Sequence, residues 1–199
     1  RDEQLPFTLE TCPHYLSFAA EEIADGATHF KCTPPIRERA NRDALWDALQ
    51  RGLLDAVVSD HSPCTAALKR MELGDFDRAW GGISSLQVTL PATWSGARAR
   101  GASLVDVARW MSEQPAKLAG LSRKGAIKRG NDADLVAFDP DARFVVDQEL
   151  LAHKNKISPY HGRELAGVVR STWLRGACVY RRGDDVTMCN GRALLRGHV

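Results

Sequence analysis

Leu53-Leu54-Asp55-Ala56-Val57-Val58-Ser59 is a nearly continuous apolar run. It lacks the polar alternation of a half-solvated strand and suits a strand buried on both faces, as in parallel sheets and barrels. Upstream, residues 7–11 read as a short strand ending at Cys12-Pro13-His14, and residues 17–23 carry a helical pattern stopped by Asp25-Gly26. Two prolines make residues 31–37 an extended loop. From Asn41 a helix follows, with Leu45, Trp46 and Leu49 on one face and Gly52 as its stop. Strand, loop, helix and strand make a βα-repeat, so the first part of the chain is expected to be α/β.

Past the run, Gly81-Gly82 precedes a helix that reaches about Ala97. Ser103 is an N-cap for a helix carrying Leu104, Val107, Ala108 and Met111, and Pro115 opens a short helix ending at Gly120. The texture then changes. Turn residues Gly125, Gly130, Asn131 and Asp132 separate expected strands at 133–138, 143–146, 167–174 and 178–181, with a turn at Arg175-Gly176. The expected division is a βα part over 1–121, a small β-region over 122–182 and a tail over 183–199.

Charge gives little direction. Lys and Arg total 27 against 25 Asp and Glu, a formal charge of +2, too small a surplus to argue for nucleic acid or a membrane surface. Arg170, Arg175, Arg181, Arg182, Arg192 and Arg196 crowd the end, but Asp184 and Asp185 among them favour a solvated face. Five cysteines (Cys12, Cys32, Cys64, Cys178 and Cys189) show no repeating spacing, a poor disulfide framework. No apolar run approaches the ~20 residues of a membrane helix, and no signal-peptide pattern is present. A soluble, cytoplasmic protein is expected. The first residue is Arg1 rather than Met, so the chain is expected to lack its natural beginning.

Asp60 is the residue with the most chemical promise. A carboxylate at the C-terminal end of a buried strand stands where βα-barrels build active sites, and it can bind a cation or move a proton. It can equally be a strand-end aspartate capping the next turn. His14, past the other strand, reads as a satisfied structural group before it reads as a ligand. Neighbours on an extended segment point to opposite sides, so His61 need not share a site with Asp60. No cysteine–histidine cluster or HxH with recognised metal spacing occurs. Gly81-Gly82 offers backbone N–H groups for close approach of a ligand, or is simply a tight turn. Cys64 has no evident basic partner in sequence and reads as a buried or pocket-lining thiol.

Three segments resemble the cyclic amidohydrolases: Glu10-Thr11-Cys12-Pro13-His14-Tyr15-Leu16, Lys31-Cys32-Thr33-Pro34-Pro35-Ile36-Arg37 and Ser59-Asp60-His61-Ser62-Pro63-Cys64. That group holds allantoinases, hydantoinases, dihydropyrimidinases and dihydroorotases. The wording is similar to the allantoinase branch: CPHYL rather than CPQYL, KCxPPIR rather than MSPPLR, SDHSPC rather than TDHCPF or TDHAPH. Trp80-Gly81-Gly82-Ile83-Ser84-Ser85-Leu86-Gln87 is similar to the allantoinase form of its loop. Gly125-x-Ile127-x-x-Gly130-x-Asp132-Ala133-Asp134-Leu135-Val136 resembles the start of that family's small β-domain. Lys156-Ile157-Ser158-Pro159-Tyr160 and Leu174-Arg175-Gly176 continue the match.

The resemblance implies the C-terminal part of a (β/α)8 barrel, about the last two strands and following helices, plus a small β-sandwich-type domain. It implies hydrolysis of the ring amide of allantoin to allantoate with two divalent metal ions, zinc first among them. In that family an HxH, a carboxylated lysine, two further histidines and an eighth-strand aspartate hold the metals. Asp60 matches the aspartate, as ligand and catalytic proton carrier, and the others belong upstream of Arg1. The position of His14 is not a ligand in that pattern. Thr33, Cys64, Gly81, Gly82, Ile83 and Ser84 are expected to contact substrate. Thr33 stands where relatives use Ser or Asn, and Cys64 where dihydroorotases carry a histidine for the substrate carboxylate. The implied partners are allantoin, an N-terminal barrel portion and further copies of the chain in a homo-oligomer (a tetramer). Competing readings are a hydantoinase, dihydropyrimidinase or dihydroorotase-type amidase, and a non-catalytic remnant or scaffold. Two strands alone would leave an open edge and an apolar face, so the isolated chain is expected to be inactive and to aggregate or stay partly disordered.

Overall fold

The computed structural model describes residues 6–184 and 191–194. Cys189, Asp185, Arg196 and most of the expected tail lie outside the described residues. β1 (Glu10–Thr11) and β2 (Ala56–Val57) pair in parallel, Glu10 opposite Ala56 and Thr11 opposite Val57. Bonds from Asp55 N to Leu9 O (2.8 Å) and from Val58 N to Thr11 O (2.9 Å) flank the pair. Both strands are shorter than their apolar runs, because a ladder counts paired backbone and not hydrophobicity. Phe7 and Leu9, expected within the strand, are exposed.

Between the strands, α2 (Arg39–Gln50) buries Trp46 and Leu49, one helical turn apart. It starts two residues ahead of the expected Asn41. Gly52, at φ 72°, ends it with bonds from Gly52 N to Leu49 O (3.1 Å) and from Leu53 N to Ala48 O (2.8 Å). That is a Schellman stop, the role its sequence position predicts. The helix expected over 17–23 is displaced. α1 (Pro13–Ser17) forms earlier, with Pro13 fixing its first turn. Phe18 then turns extended and buries its ring against Phe30 (5.0 Å) and Tyr160 (4.8 Å). Only a 3₁₀ turn remains at Ala20–Glu22.

α3 (Ala66–Lys69) follows β2, and α4 (Thr89–Ala99) forms the centre of the molecule. One side of the α4 region, Val88 and Ala92, packs with Phe18, Ile83, Tyr160 and Leu165. The other, Trp94 and Ala97, packs with Trp46, Val107, Trp110 and Ala166. Leu165 and Ala166 are adjacent on a strand and serve opposite cores, as strand alternation requires. α5 (Leu104–Ala108) opens with a full capping box: Asp106 N donates to Ser103 Oγ (3.2 Å) and Ser103 N to Asp106 Oδ2 (2.9 Å). It runs through a π-helical turn at Arg109–Glu113 into α6 (Gln114–Leu118). Among the described residues, no helix is long and apolar enough to cross a membrane.

The β-region is an antiparallel sheet in the order β3 (Leu135–Val145), β4 (Glu164–Leu174), β5 (Ala177–Arg181). The two strands expected at 133–138 and 143–146 are one strand with a register shift between Asp139 and Arg143. Asp139 Oδ1 closes the bulge by accepting from Asp141 N (3.3 Å) and Ala142 N (3.1 Å). Arg175 and Gly176, at φ 49° and 83°, make the expected hairpin turn. Lys124 pairs with Asp132 (3.1 Å) and with Asp134, fastening the segment that leads into β3. The sheet docks on α4 through Trp94 Nε1 to Pro140 O (2.9 Å) and Ala166 N to Ser95 Oγ (2.8 Å).

Gly167 permits that docking. It sits at φ 91°, and a Cβ there would lie 2.2 Å from the Phe138 ring and 2.7 Å from Trp94. Gly167→Ala therefore combines overpacking with a left-handed alanine and is expected to cost about 2–4 kcal/mol. Urea unfolding checks this; an unchanged midpoint would contradict the packing described.

Candidate functional site

The parallel pairing sends both chains out of the sheet at the same end. β1 runs into Cys12, Pro13 and His14, and β2 runs through Val58 and Ser59 into Asp60. Asp60 adopts a left-handed backbone, φ 41°, and is exposed. Outside glycine that conformation costs roughly 1–2 kcal/mol and is borne best by Asn and Asp. The result gathers three side chains: one ligand atom each of Cys12, His14 and Asp60, all within 4.8 Å of one another. Sequence reasoning set His14 aside and missed Cys12, since no recognised metal spacing joins them to Asp60. The Cys-x-His pattern at a strand end was the available signal.

His14 is fully buried, and neither ring nitrogen has a hydrogen-bond partner. Burial drops its pKa to about 4, against an opposing pull from the Asp60 carboxylate. Burial, reinforced by Asp60, pushes the Cys12 thiol up to about 12. His61 is engaged elsewhere. Its Nδ1 accepts from Ser85 N (3.0 Å) and Leu86 N (3.2 Å), which leaves the proton on Nε2, and its ring lies 4.8 Å from that of His153.

The loops expected to meet substrate converge beside this end. Ile83 bridges to His61 in parallel, Ser62 N donates to Ile83 O (3.0 Å), and Gly82 N donates to Lys31 O (3.0 Å). A Cβ on Gly81 would lie 2.5 Å from Thr33 Oγ1, and one on Gly82 would lie 2.4 Å from Ser62 Oγ. Only glycines let these three segments approach so closely. The Thr33 side is exposed, whereas Cys64, Gly82, Ile83 and Ser84 are buried. The Ile83 side chain belongs to the core, so that residue offers a ligand its backbone. Ser84 O accepts from Ser158 Oγ (3.1 Å).

Lys69 holds the loops together, and nothing in the sequence singles it out. It is 3% exposed. Its Nζ donates to Lys31 O (2.9 Å), Trp80 O (3.0 Å) and Gly82 O (2.5 Å). Those three carbonyls saturate the three N–H groups of an ammonium. Burial lowers the Lys69 pKa, and burial raises that of Cys64 while the Lys69 charge opposes the rise. Cys64 thus has a cation acting on it that the sequence did not reveal, yet its thiol stays above its ordinary value.

Burial lowers the pKa of His14, His29, His61 and His153 alike. Each is neutral in the fold and takes up a proton more readily once unfolded. Stability from this source is complete above the ordinary histidine value of 6.5 and is lost as pH falls from there to about 4 for His14. For His14 alone the loss is on the order of 3 kcal/mol. Urea midpoints of the metal-free chain should fall across that window, with a shallower slope in His14→Gln. A midpoint that rises as pH falls would contradict this arrangement.

A sequence model described as the amidohydrolase family matches residues 18–179. The chain is 55% identical over 194 residues to an allantoinase of Streptomyces avermitilis, covering 98% of this chain and 43% of that protein. It is 53% identical over 190 residues to an allantoinase of Arabidopsis thaliana, covering 94% and 38%. The fold superposes on the L-hydantoinase (dihydropyrimidinase) of Arthrobacter aurescens with a TM-score of 0.88 at 30% identity, covering 94% of this chain and 42% of that one. The chain therefore spans about two fifths of the length of these relatives. With a match across most of its length and a shared fold, the chain belongs to the amidohydrolase family.

Proposed function

We propose that the chain forms part of an allantoinase that opens the hydantoin ring of allantoin to allantoate. The observation that carries the reading is Asp60, raised on a left-handed turn at the C-terminal end of a parallel strand pair. Active sites of βα-barrels stand at that end. The higher identity to allantoinases, against 30% to the hydantoinase, favours allantoin over the related cyclic amides. On this reading residues 1–121 are the last two strands and following helices of a (β/α)8 barrel. Residues 122–182 are the small β-sandwich-type domain, followed by the tail. The other metal ligands come from the portion matching the remaining length of the relatives. A cytoplasmic homo-oligomer, a tetramer, completes the proposal on resemblance alone.

Asp60 fits a divalent cation by its chemistry: an exposed carboxylate beside a buried imidazole whose nitrogens lack partners. Zinc accepts both donor types. Asp60 would hold one of two divalent cations, which when bound would make a water acidic and draw charge from the ring carbonyl. Asp60 takes the proton that water gives up as its oxygen bonds to the carbonyl carbon. The same carboxylate returns that proton to the ring nitrogen as the C–N bond breaks. Thr33 and Cys64, with the backbone of Gly81, Gly82, Ile83 and Ser84, form the wall that meets the ligand. Lys69 beneath that wall is saturated by carbonyls, and Cys64 replaces the carboxylate-binding histidine of dihydroorotases. Such a wall suits the neutral ureido group of allantoin.

Allantoin hydrolysis with added divalent metal tests the proposal, using the chain alone and mixed with the N-terminal part of a related allantoinase. Activity is expected in the mixture only. Asp60→Asn should lower it about a thousandfold while leaving assembly intact. Hydrolysis by the chain alone, or dihydrouracil preferred over allantoin, would contradict it.

A further inference from the structure

A carboxylate that passes a proton between two atoms works only if it is itself held still. The Asp60 backbone sits at φ 41°, a region that an L-residue leaves unless its surroundings over-determine it. The constraint comes from the residues on either side. Ser59 O accepts from Ser85 Oγ (3.1 Å), and His61 Nδ1 accepts from Ser85 N (3.0 Å) and Leu86 N (3.2 Å). Ser85 thus grips both neighbours of Asp60, one with its hydroxyl and the other with its amide. It is fully buried and stands at the N-cap of the 3₁₀ turn Leu86–Val88 that runs into α4. A serine at that place ordinarily caps the turn with its own oxygen. Ser85 makes no such side-chain bond, because its hydroxyl is turned to Ser59. The amides left over are taken by His61, 24 residues upstream, whose ring is backed by that of His153 at 4.8 Å. Ser85 O in turn accepts from Thr89 Oγ1 (2.9 Å), which ties the arrangement to the first turn of α4. Satisfying the entrance of the helix and anchoring the Asp60 turn are therefore one event.

We propose that His61 and Ser85 are positioning residues for Asp60, a clasp that holds its left-handed turn and so aims the carboxylate at the atoms between which it moves a proton. Neither residue touches substrate. The inference rests on the allantoinase reading for the reaction it serves, while every bond of the clasp joins residues of this chain. The substrate wall is held separately, by Lys69. Loosening the clasp therefore disturbs the proton transfer and spares binding.

Two variants at one position test this. Asparagine carries an acceptor, Oδ1, at the same remove from Cβ as histidine Nδ1, and leucine carries none. In the complemented enzyme, His61→Leu should lower kcat for allantoin about a hundredfold with KM unchanged, whereas His61→Asn should stay within about threefold of the parent. Ser85→Ala keeps the amide, loses only the hydroxyl and should lower kcat about tenfold. If His61→Leu does not fold, Ser85→Ala decides. Hydrogen–deuterium exchange of the 199-residue chain in dilute solution reads the clasp without activity. The amides of Ser85 and Leu86 should exchange at least about tenfold faster in His61→Leu and at the parent rate in His61→Asn. An unchanged kcat in His61→Leu or Ser85→Ala, or equal losses in His61→Asn and His61→Leu, overturns the inference and leaves the allantoinase reading standing. A parent mixture that does not hydrolyse allantoin removes that reading instead. Fast exchange confined to His61→Leu then upholds the clasp, and equal exchange in all three chains overturns it.

Discussion

The described structure depends on a short parallel pairing between β1 and β2. The register sets Thr11 beside Val57, and everything at the site follows from it. A slip of one residue would turn each strand's side chains to the opposite face, removing Val57 from the core with Trp46 and Trp110. The same slip would carry Asp60 away from Cys12 and His14. Hydrophobic burial thus fixes where a carboxylate emerges, and chemistry inherits its geometry from packing. α2 and α4 make the register costly to lose, because Trp46 donates its indole N–H to Leu16 O (2.9 Å) just beyond β1.

A second constraint acts on the loops. Lys69 is a cation in a nearly dry place, a cost that three carbonyl acceptors offset. Those carbonyls come from the Lys31 segment and from both flanks of the Gly81 turn. One ammonium thereby joins the Lys31 segment, the Gly81 turn and its own helix. The glycines at 81 and 82 are its complement, since any Cβ would push Thr33 or Ser62 away. Rigid positioning of this kind is what a small, neutral, hydrogen-bonding ligand demands of its pocket.

Local chemistry was legible in the sequence. Gly52 as a helix stop, Ser103 as a cap and Arg175-Gly176 as a turn follow from backbone preferences, and the structure has each. The place of Asp60 past a buried strand was legible too, because an apolar run ending in a carboxylate is a local pattern. The displaced helix near Phe18 was not, since burial against Phe30 and Tyr160 overrides its periodicity. Lys69 and the Cys12–His14 corner were hidden for the same reason. Their partners are brought together by tertiary packing: no spacing marks Lys69, and the Cys-x-His pattern alone does not reveal its neighbour Asp60.

Asp60 is proposed as a metal ligand at the common end of two parallel strands. Anomalous diffraction from zinc-loaded crystals tests it most directly. A zinc peak within about 2.0–2.2 Å of an Asp60 carboxylate oxygen is the expected result. A peak held by His61 and His153 instead, with the Asp60 carboxylate turned to solvent, would contradict it.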